Sequence, residues 1–182
     1  PIPRSTTIGE ALQTSYPNFR APAKLFEECS ILIAGCGTGQ QPIHIALRYP
    51  NCQLMAIDLS LKSLASAMRR SIEYDVSNVR FLQADILKLN ECDDNFDFIS
   101  CTGVLHHMAD PIAGWRVLLS KLSPGGVMKI GIYSEIARRH ISEVRDWISE
   151  LGITPTEENI REVRQRLFKF PKDDTRRRVL EY

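Results

Sequence analysis

Gly35-Cys36-Gly37-Thr38-Gly39 is the first stretch of this chain whose residue types and spacing suit chemistry. Glycines let a backbone pass close to a ligand and enter φ > 0 without a Cβ clash. The cluster stands between the apolar run 31–34 and an amphipathic segment that opens at Gln40. The turn therefore presents a helix N-terminus, with its free N–H groups and partial positive charge, to whatever binds there. The spacing narrows the ligand. A G-x-G-x-x-G dinucleotide fingerprint needs a third glycine where this chain has Gln40 or Pro42. Asp58 ends the next apolar run, about 20 residues past the turn, where a carboxylate can accept both hydroxyls of a ribose. Its alternative is to cap the helix that follows, a role Ser60 can also fill. Asp85 closes a third run. After a fourth come His106 and His107, a ring pair suited to taking a proton near neutral pH. A cap or a loop hydrogen bond is the alternative for either ring; His107 is read that way and His106 as the candidate base.

Elements must hold these residues in place, and the hydrophobic periodicity predicts them. Strands are expected over Ser30–Ala34, Gln53–Ile57 (closing on Asp58), Val79–Ala84, Phe96–Cys101 and Val127–Tyr133. The first helix runs from Gln40 to Tyr49, with Pro42 tolerated in its first turn. The second is capped by Ser60 and carries the stripe Leu61, Leu64, Ala65, Met68 and Ile72. Ile86–Leu89 makes one turn at most. A further helix has Asp110 as cap and Pro111 at its first position, with Ile112, Trp115, Leu118, Leu119 and Leu122 inward. Five alternations of strand and helix predict an α/β fold with a doubly wound parallel sheet and right-handed crossovers. Residues 1–29 form a preamble with a short helix over Thr7–Ser15. Its Tyr16 and Phe19 are read as packing on the sheet, with a lid over the ligand as the alternative. Residues 30–134 form the core. Residues 135–182 form a helical extension: Ile141, Val144, Trp147, Ile148 and Leu151 mark one helix ended by Gly152. Thr154-Pro155-Thr156-Glu157 is a capping box that opens another, with Ile160, Val163 and Leu167 inward.

The G-C-G-T-G turn, Asp58, Asp85 and the late Leu122-Ser123-Pro124-Gly125-Gly126 stand in an order that resembles the class I S-adenosylmethionine-dependent methyltransferases, over about Ser30 to Tyr133. The wording of residues 104–111 is similar to the broad type 11/12 group. Residues 114–119 and 132–137 resemble methyltransferase domains attached to bacterial tetratricopeptide-repeat proteins. The resemblance implies a Rossmann-like sheet in the order 3-2-1-4-5, with S-adenosyl-L-methionine as cofactor and S-adenosyl-L-homocysteine as its product. It places Gly35, Cys36, Gly37 and Gly39 in the cofactor turn, Asp58 on the ribose and Asp85 on the adenine amino group. Leu59 and Ile86 would sandwich the adenine. Thr102 and Gly103 would meet the methionine end, where His106 could take a proton from an oxygen or nitrogen acceptor. The loop after the fourth strand lacks the Asp/Asn-Pro-Pro-aromatic signature of amino-methylating DNA enzymes and the paired glutamates of arginine methyltransferases. It also lacks clustered acidic metal ligands, so no metal is expected, and the acceptor is expected to be a small molecule.

A complete class I sheet ends in a hairpin of two further strands, and residues 135–182 show no strand pattern. The fifth strand is therefore expected at the sheet edge. The chain continuing past Tyr182, the late helices or a second molecule would cover it; the start at Pro1 rather than Met favours the first. The formal net charge of +1 suggests no global field for nucleic acid or membrane. No apolar run reaches the ~20 residues of a membrane-spanning helix, and no signal-peptide pattern opens the chain. The five cysteines are odd in number and include no C-x-x-C pair, which suits reduced thiols in the cytoplasm. Residues 161–182 carry eight basic and four acidic side chains. That tail leaves open an RNA- or protein-directed methyltransferase, although interspersed acids favour a solvated helix face. A cofactor-binding module without methyl transfer is the remaining alternative.

Overall fold

A computed structural model describes residues 7–181; the first six residues of the preamble, and Tyr182, lie outside the described residues. Five strands, β1 (Ser30–Ala34), β2 (Gln53–Asp58), β3 (Val79–Gln83), β4 (Phe96–Thr102) and β5 (Leu122–Gly131), pair in parallel in the order β3-β2-β1-β4-β5. The order reverses between β1 and β4. In open α/β sheets ligands bind at the carboxyl ends of the strands beside such a reversal. The turn after β1 and the Thr102–Gly103 step after β4 lie there.

Both faces of the sheet are covered, which is why its central strands read as continuous apolar runs. Successive side chains of β1 alternate between the two sides. Ile31 and Ile33 join a cluster with Ile8 of α1 (Ile8–Ser15), Ala46 of α2 (Gln40–Arg48), Leu64 of α3 (Leu61–Glu73) and Phe98. Leu32 and Ala34 join the opposite cluster with Ile57, Ile99, Cys101, Leu105 and Leu118 of α4 (Pro111–Ser120). The first turn of α2 accommodates Pro42 as expected. Asp110 Oδ1 accepts from the N–H groups of Ile112 and Ala113, so it caps α4 with Pro111 at the first position. At the opposite end of the sheet from the turn, Asp97 Oδ2 accepts from the N–H and the hydroxyl of Ser30, each at 3.0 Å. This stitches the starts of β1 and β4. Burial raises the Asp97 carboxyl, but the Ser30 hydrogen bonds and Lys24 outweigh it and hold it below the usual carboxylate range.

Two helices turn differently from the expected stripes. On α3 the buried residues are Leu64 and Ala67, while Ile72 is 80% exposed and Leu61 and Met68 face solvent. A Cβ at Gly39 would fall 2.6 Å from that of Ala67. The close approach of two small residues sets which face of α3 turns inward. On α4 the same happens around Gly114, whose added Cβ would meet Met108 Sδ at 2.5 Å. Gly114 and Leu118 are buried, and Ile112 and Leu119 are not.

β5 also begins earlier than expected, because Ser123-Pro124-Gly125-Gly126 runs along β4 instead of turning away. A register shift between Phe96 and Phe98 absorbs the extra residues, with Gly125 at φ 78° and Gly126 pressed against the carbonyls of Ser123 and Asp97. Bulges at sheet edges commonly use glycine in this way.

The chain divides after Ile132. The second part contains α5 (Arg139–Glu150) and α6 (Glu157–Lys169), which share a small core of Val144, Val163 and Leu167. Thr156, not Thr154, caps α6: its hydroxyl accepts from the Asn159 N–H, while Thr154 receives the Asn159 side chain. Ile160 stays exposed. Among the described residues no strand follows Gly131, which leaves β5 at one edge of the sheet.

Candidate cofactor site

The turn after β1 is fastened to the end of β2. The N–H groups of Gly35 and Cys36 both donate to the Ile57 carbonyl at 2.9 Å, and the Gly37 N–H donates to Asp58 Oδ2 at 2.8 Å. Asp58 Oδ1 accepts from the Ser60 N–H at 2.9 Å, and the Ser60 hydroxyl caps α3 on its own account. Asp58 is thus a staple between turn and helix. Each carboxylate oxygen has a second lone pair, so the staple leaves acceptor capacity for a ligand diol. Asp85 Oδ1 accepts from the Leu87 N–H at the head of the short 3₁₀ turn Ile86–Glu91.

The three glycines of the turn have separate jobs. All lie at positive φ (77°, 53° and 90° for Gly35, Gly37 and Gly39). A Cβ at Gly35 would stand 2.2 Å from Val104 Cγ2, so Gly35 makes room for the β4 loop. Gly39 makes room for α3. Only at Gly37 would a Cβ meet nothing within 4 Å, so its bareness serves open space.

That space is a pair of adjoining cavities. The first, about 320 Å³, is lined by Gly35, Gly37, Asp58, Leu59, Asp85, Ile86, Thr102 and Gly103, together with Ile57, Ala84, Val104, His107 and Met108. The second, about 510 Å³, is lined by Gly35, Cys36, Gly37, Thr38, Gln40, Gln41, His44 and Thr102. Every expected cofactor residue except Gly39 therefore lines one cavity or the other. Burial, and then the nearby Asp58 charge, push the Cys36 thiol up to about 11, so it remains protonated at neutral pH and acts as a wall rather than a nucleophile.

The candidate base is placed differently from the expectation. The short turn Leu105–His107 buries Leu105 in the core and brings His107, not His106, to the cavity. His106 stands behind it, ring centroids 4.2 Å apart, with both ring nitrogens shielded from solvent. His44 of α2 also lines the second cavity. No periodicity marks a 3₁₀ turn of three residues, so only Val104 and Met108 flanking it, as apolar loop residues, could have hinted at its inward lean. Among the described residues no group of three or more His, Cys, Asp or Glu side chains is gathered as a metal would require.

A doubly wound sheet with a glycine turn and two strand-end carboxylates around one cavity is the arrangement that the resemblance to class I methyltransferases implies. A family model described as a methyltransferase domain matches residues 25–170, and the chain belongs to that family, whose methyl donor is S-adenosylmethionine. An uncharacterized protein of Synechococcus sp. is 39% identical over 122 residues, 66% of this chain and 29% of that protein. A probable (S)-tetrahydroprotoberberine N-methyltransferase 2 of Papaver bracteatum is 27% identical over 119 residues, 65% of this chain and 32% of its own. Among solved structures, PKMT2 from Rickettsia typhi in complex with AdoHcy has a TM-score of 0.73 at 23% identity, covering 90% of this chain and 32% of that one; this is a likeness of fold. The chain spans between about a third and a half of the length of the curated relatives it matches first.

Proposed function

We propose that this chain holds S-adenosylmethionine across the two cavities and moves its methyl group to an oxygen, nitrogen or carbon atom of a small-molecule acceptor. One observation carries the reading: residues from the ends of four strands, Gly37, Asp58, Asp85 and Thr102, converge on adjoining spaces that share Gly35, Gly37 and Thr102. Asp58 has lone pairs left for the ribose hydroxyls and Asp85 for the adenine amino group, with Leu59 and Ile86 as apolar walls for the ring. The methionyl part then points toward Thr38 and Gln41. The bound cofactor supplies a methyl on a sulfonium, open to in-line attack by a lone pair. The protein contributes positioning and exclusion of water. Where the acceptor atom starts protonated, His44 and His107 are the imidazoles that line the cavities, and His106 positions His107.

The names of two relatives, the Papaver N-methyltransferase and a trans-aconitate 2-methyltransferase of Deinococcus radiodurans, support a small acceptor. The basic tail supports nucleic acid less well, because Arg161, Arg166 and Arg176 are each paired with a carboxylate. Five free thiols fit a cytoplasmic setting. No helix among the described residues is long and apolar enough to cross a membrane.

Calorimetry with S-adenosylhomocysteine and with NAD tests the cofactor reading, and a screen of metabolites with labelled cofactor tests the transfer. S-adenosylhomocysteine is expected to bind and NAD not to. Asp85→Ala is expected to weaken binding by about 1–2 kcal/mol, one hydrogen bond. Asp58→Ala should cost more, since it also frees the turn. Binding of NAD in preference overturns the reading. His44→Ala or His107→Ala should lower turnover with cofactor affinity retained.

A further inference from the structure

A third cavity, about 520 Å³, lies along α2 between α1 and the β4–β5 face of the sheet, and the cofactor reading makes no use of it. Its wall is mixed. Phe98 and Ile45 are apolar, Tyr49 is half-buried, and two cations, Arg48 and Lys129, line it with no acidic side chain. The volume falls in the usual range for small-molecule sites.

Arg48 is the informative residue. Its guanidinium lies 5.6 Å from the Tyr49 ring centroid. Its Nε is buried and meets no hydrogen-bond acceptor among the described residues, although the guanidinium also engages the Tyr49 hydroxyl, and none of the ion pairs there includes it. A guanidinium presents a planar fork of donors that matches a carboxylate or phosphate. A shielded N–H without an acceptor is the position such a group would satisfy. Lys129, exposed on β5 opposite Ser100 in register, adds positive potential at the rim.

The other end of the cavity meets the cofactor site. Gln41 lines both this cavity and the second cofactor cavity. Its Nε2 donates to the Oγ of Ser100, a hydroxyl buried in the β4 face, at 2.8 Å. Gln41 and Arg48 sit seven residues apart on α2, a rise of about 10 Å.

We propose that this cavity holds the body of the methyl acceptor, and that the acceptor is an elongated, largely apolar molecule with an anionic group seated on Arg48. Its reacting atom lies at the Gln41 end, about 10 Å away along α2. The proposal rests on the cofactor reading above and names the substrate class for it. The cation lining disfavours protonated amines as acceptors and favours carboxylates or phosphate esters.

Equilibrium binding to the intact chain tests this without any methyl transfer, with decanoate, decyl phosphate, decylamine and 1-decanol as probes. Decanoate or decyl phosphate is expected to bind at one site, at least tenfold more tightly than decylamine or 1-decanol. Arg48→Gln should weaken the anion at least tenfold, and Lys129→Gln by a smaller factor, with S-adenosylhomocysteine affinity within twofold of the parent in both. A preference for the phosphate ester over the carboxylate, or the reverse, identifies which anion the acceptor carries. Equal binding of decanoate and 1-decanol, or an unchanged decanoate affinity in Arg48→Gln, overturns the proposal. So does S-adenosylhomocysteine binding with no binding of either anion. Loss of S-adenosylhomocysteine binding by the parent chain would instead overturn the cofactor reading. Should Arg48→Gln fail to fold, Lys129→Gln at the exposed rim decides: no loss of anion affinity there overturns the proposal.

Discussion

Alanine at Gly37 and alanine at Gly39 separate the site's chemistry from its packing. Both residues lie at positive φ, so either substitution strains the backbone by about 1–2 kcal/mol. At Gly37 nothing more is added to the protein itself, because the new Cβ meets no atom within 4 Å. At Gly39 the Cβ would sit 2.6 Å from Ala67 Cβ and 2.7 Å from Ala67 Cα. The latter is backbone and cannot swing aside, so α2 and α3 must part. Overpacking of that kind costs about 1–3 kcal/mol more. Thermal unfolding without ligand should therefore place Gly39→Ala about 2–12 °C below Gly37→Ala. Calorimetry should rank them in reverse. The Gly37 methyl stands in the space shared by both cofactor cavities and should reduce S-adenosylhomocysteine affinity about tenfold or more, on the order of 1.4 kcal/mol. Folded Gly39→Ala should bind within a fewfold of the parent. Parental affinity in Gly37→Ala, or equal melting temperatures for the two, would refute the division of labour among the glycines.

Two further outcomes concern pH. Asp97 is held below the usual carboxylate range in the fold, so its contribution is present above the unfolded pKa and is lost as pH falls from about 4 downward. Acid unfolding of Asp97→Asn should show a shallower slope there than the parent, and parallel curves would count against the Ser30 stitch. Burial pushes the Cys101 thiol up to about 11 from an ordinary value of 9.0, so the unfolded chain ionises first and stability falls as pH rises between those values. That difference corresponds to about 2–3 kcal/mol. Denaturant titrations at pH 8 and pH 10.5 should show Cys101→Ala losing less than the parent over that interval, and equal losses would discard the assignment.

The residues that were legible in the sequence are those whose duty is local. A positive φ demands glycine wherever the chain later goes, and a carboxylate at the end of a buried strand must emerge at the sheet's carboxyl edge. Gly35, Gly37, Asp58 and Asp85 could thus be named beforehand, as could the caps at Ser60 and Asp110, because the spacing of strand, turn and cap is a short-range matter. Sheet order followed from the alternation of strands and helices together with the family resemblance. Tertiary packing decided the rest. An amphipathic helix can present more than one apolar stripe, and periodicity does not say which finds cover. On α3 and α4 the small residues Ala67 and Gly114 won over larger neighbours because they let another backbone or side chain come close. The step from His106 to His107 at the cavity turns on one residue of a three-residue turn. The cavity of Arg48, Lys129 and Ser100 joins a helix end to two strands up to 81 residues away in sequence. No local pattern could place those groups around one space; only the sheet that brings β4 and β5 beside α2 does so.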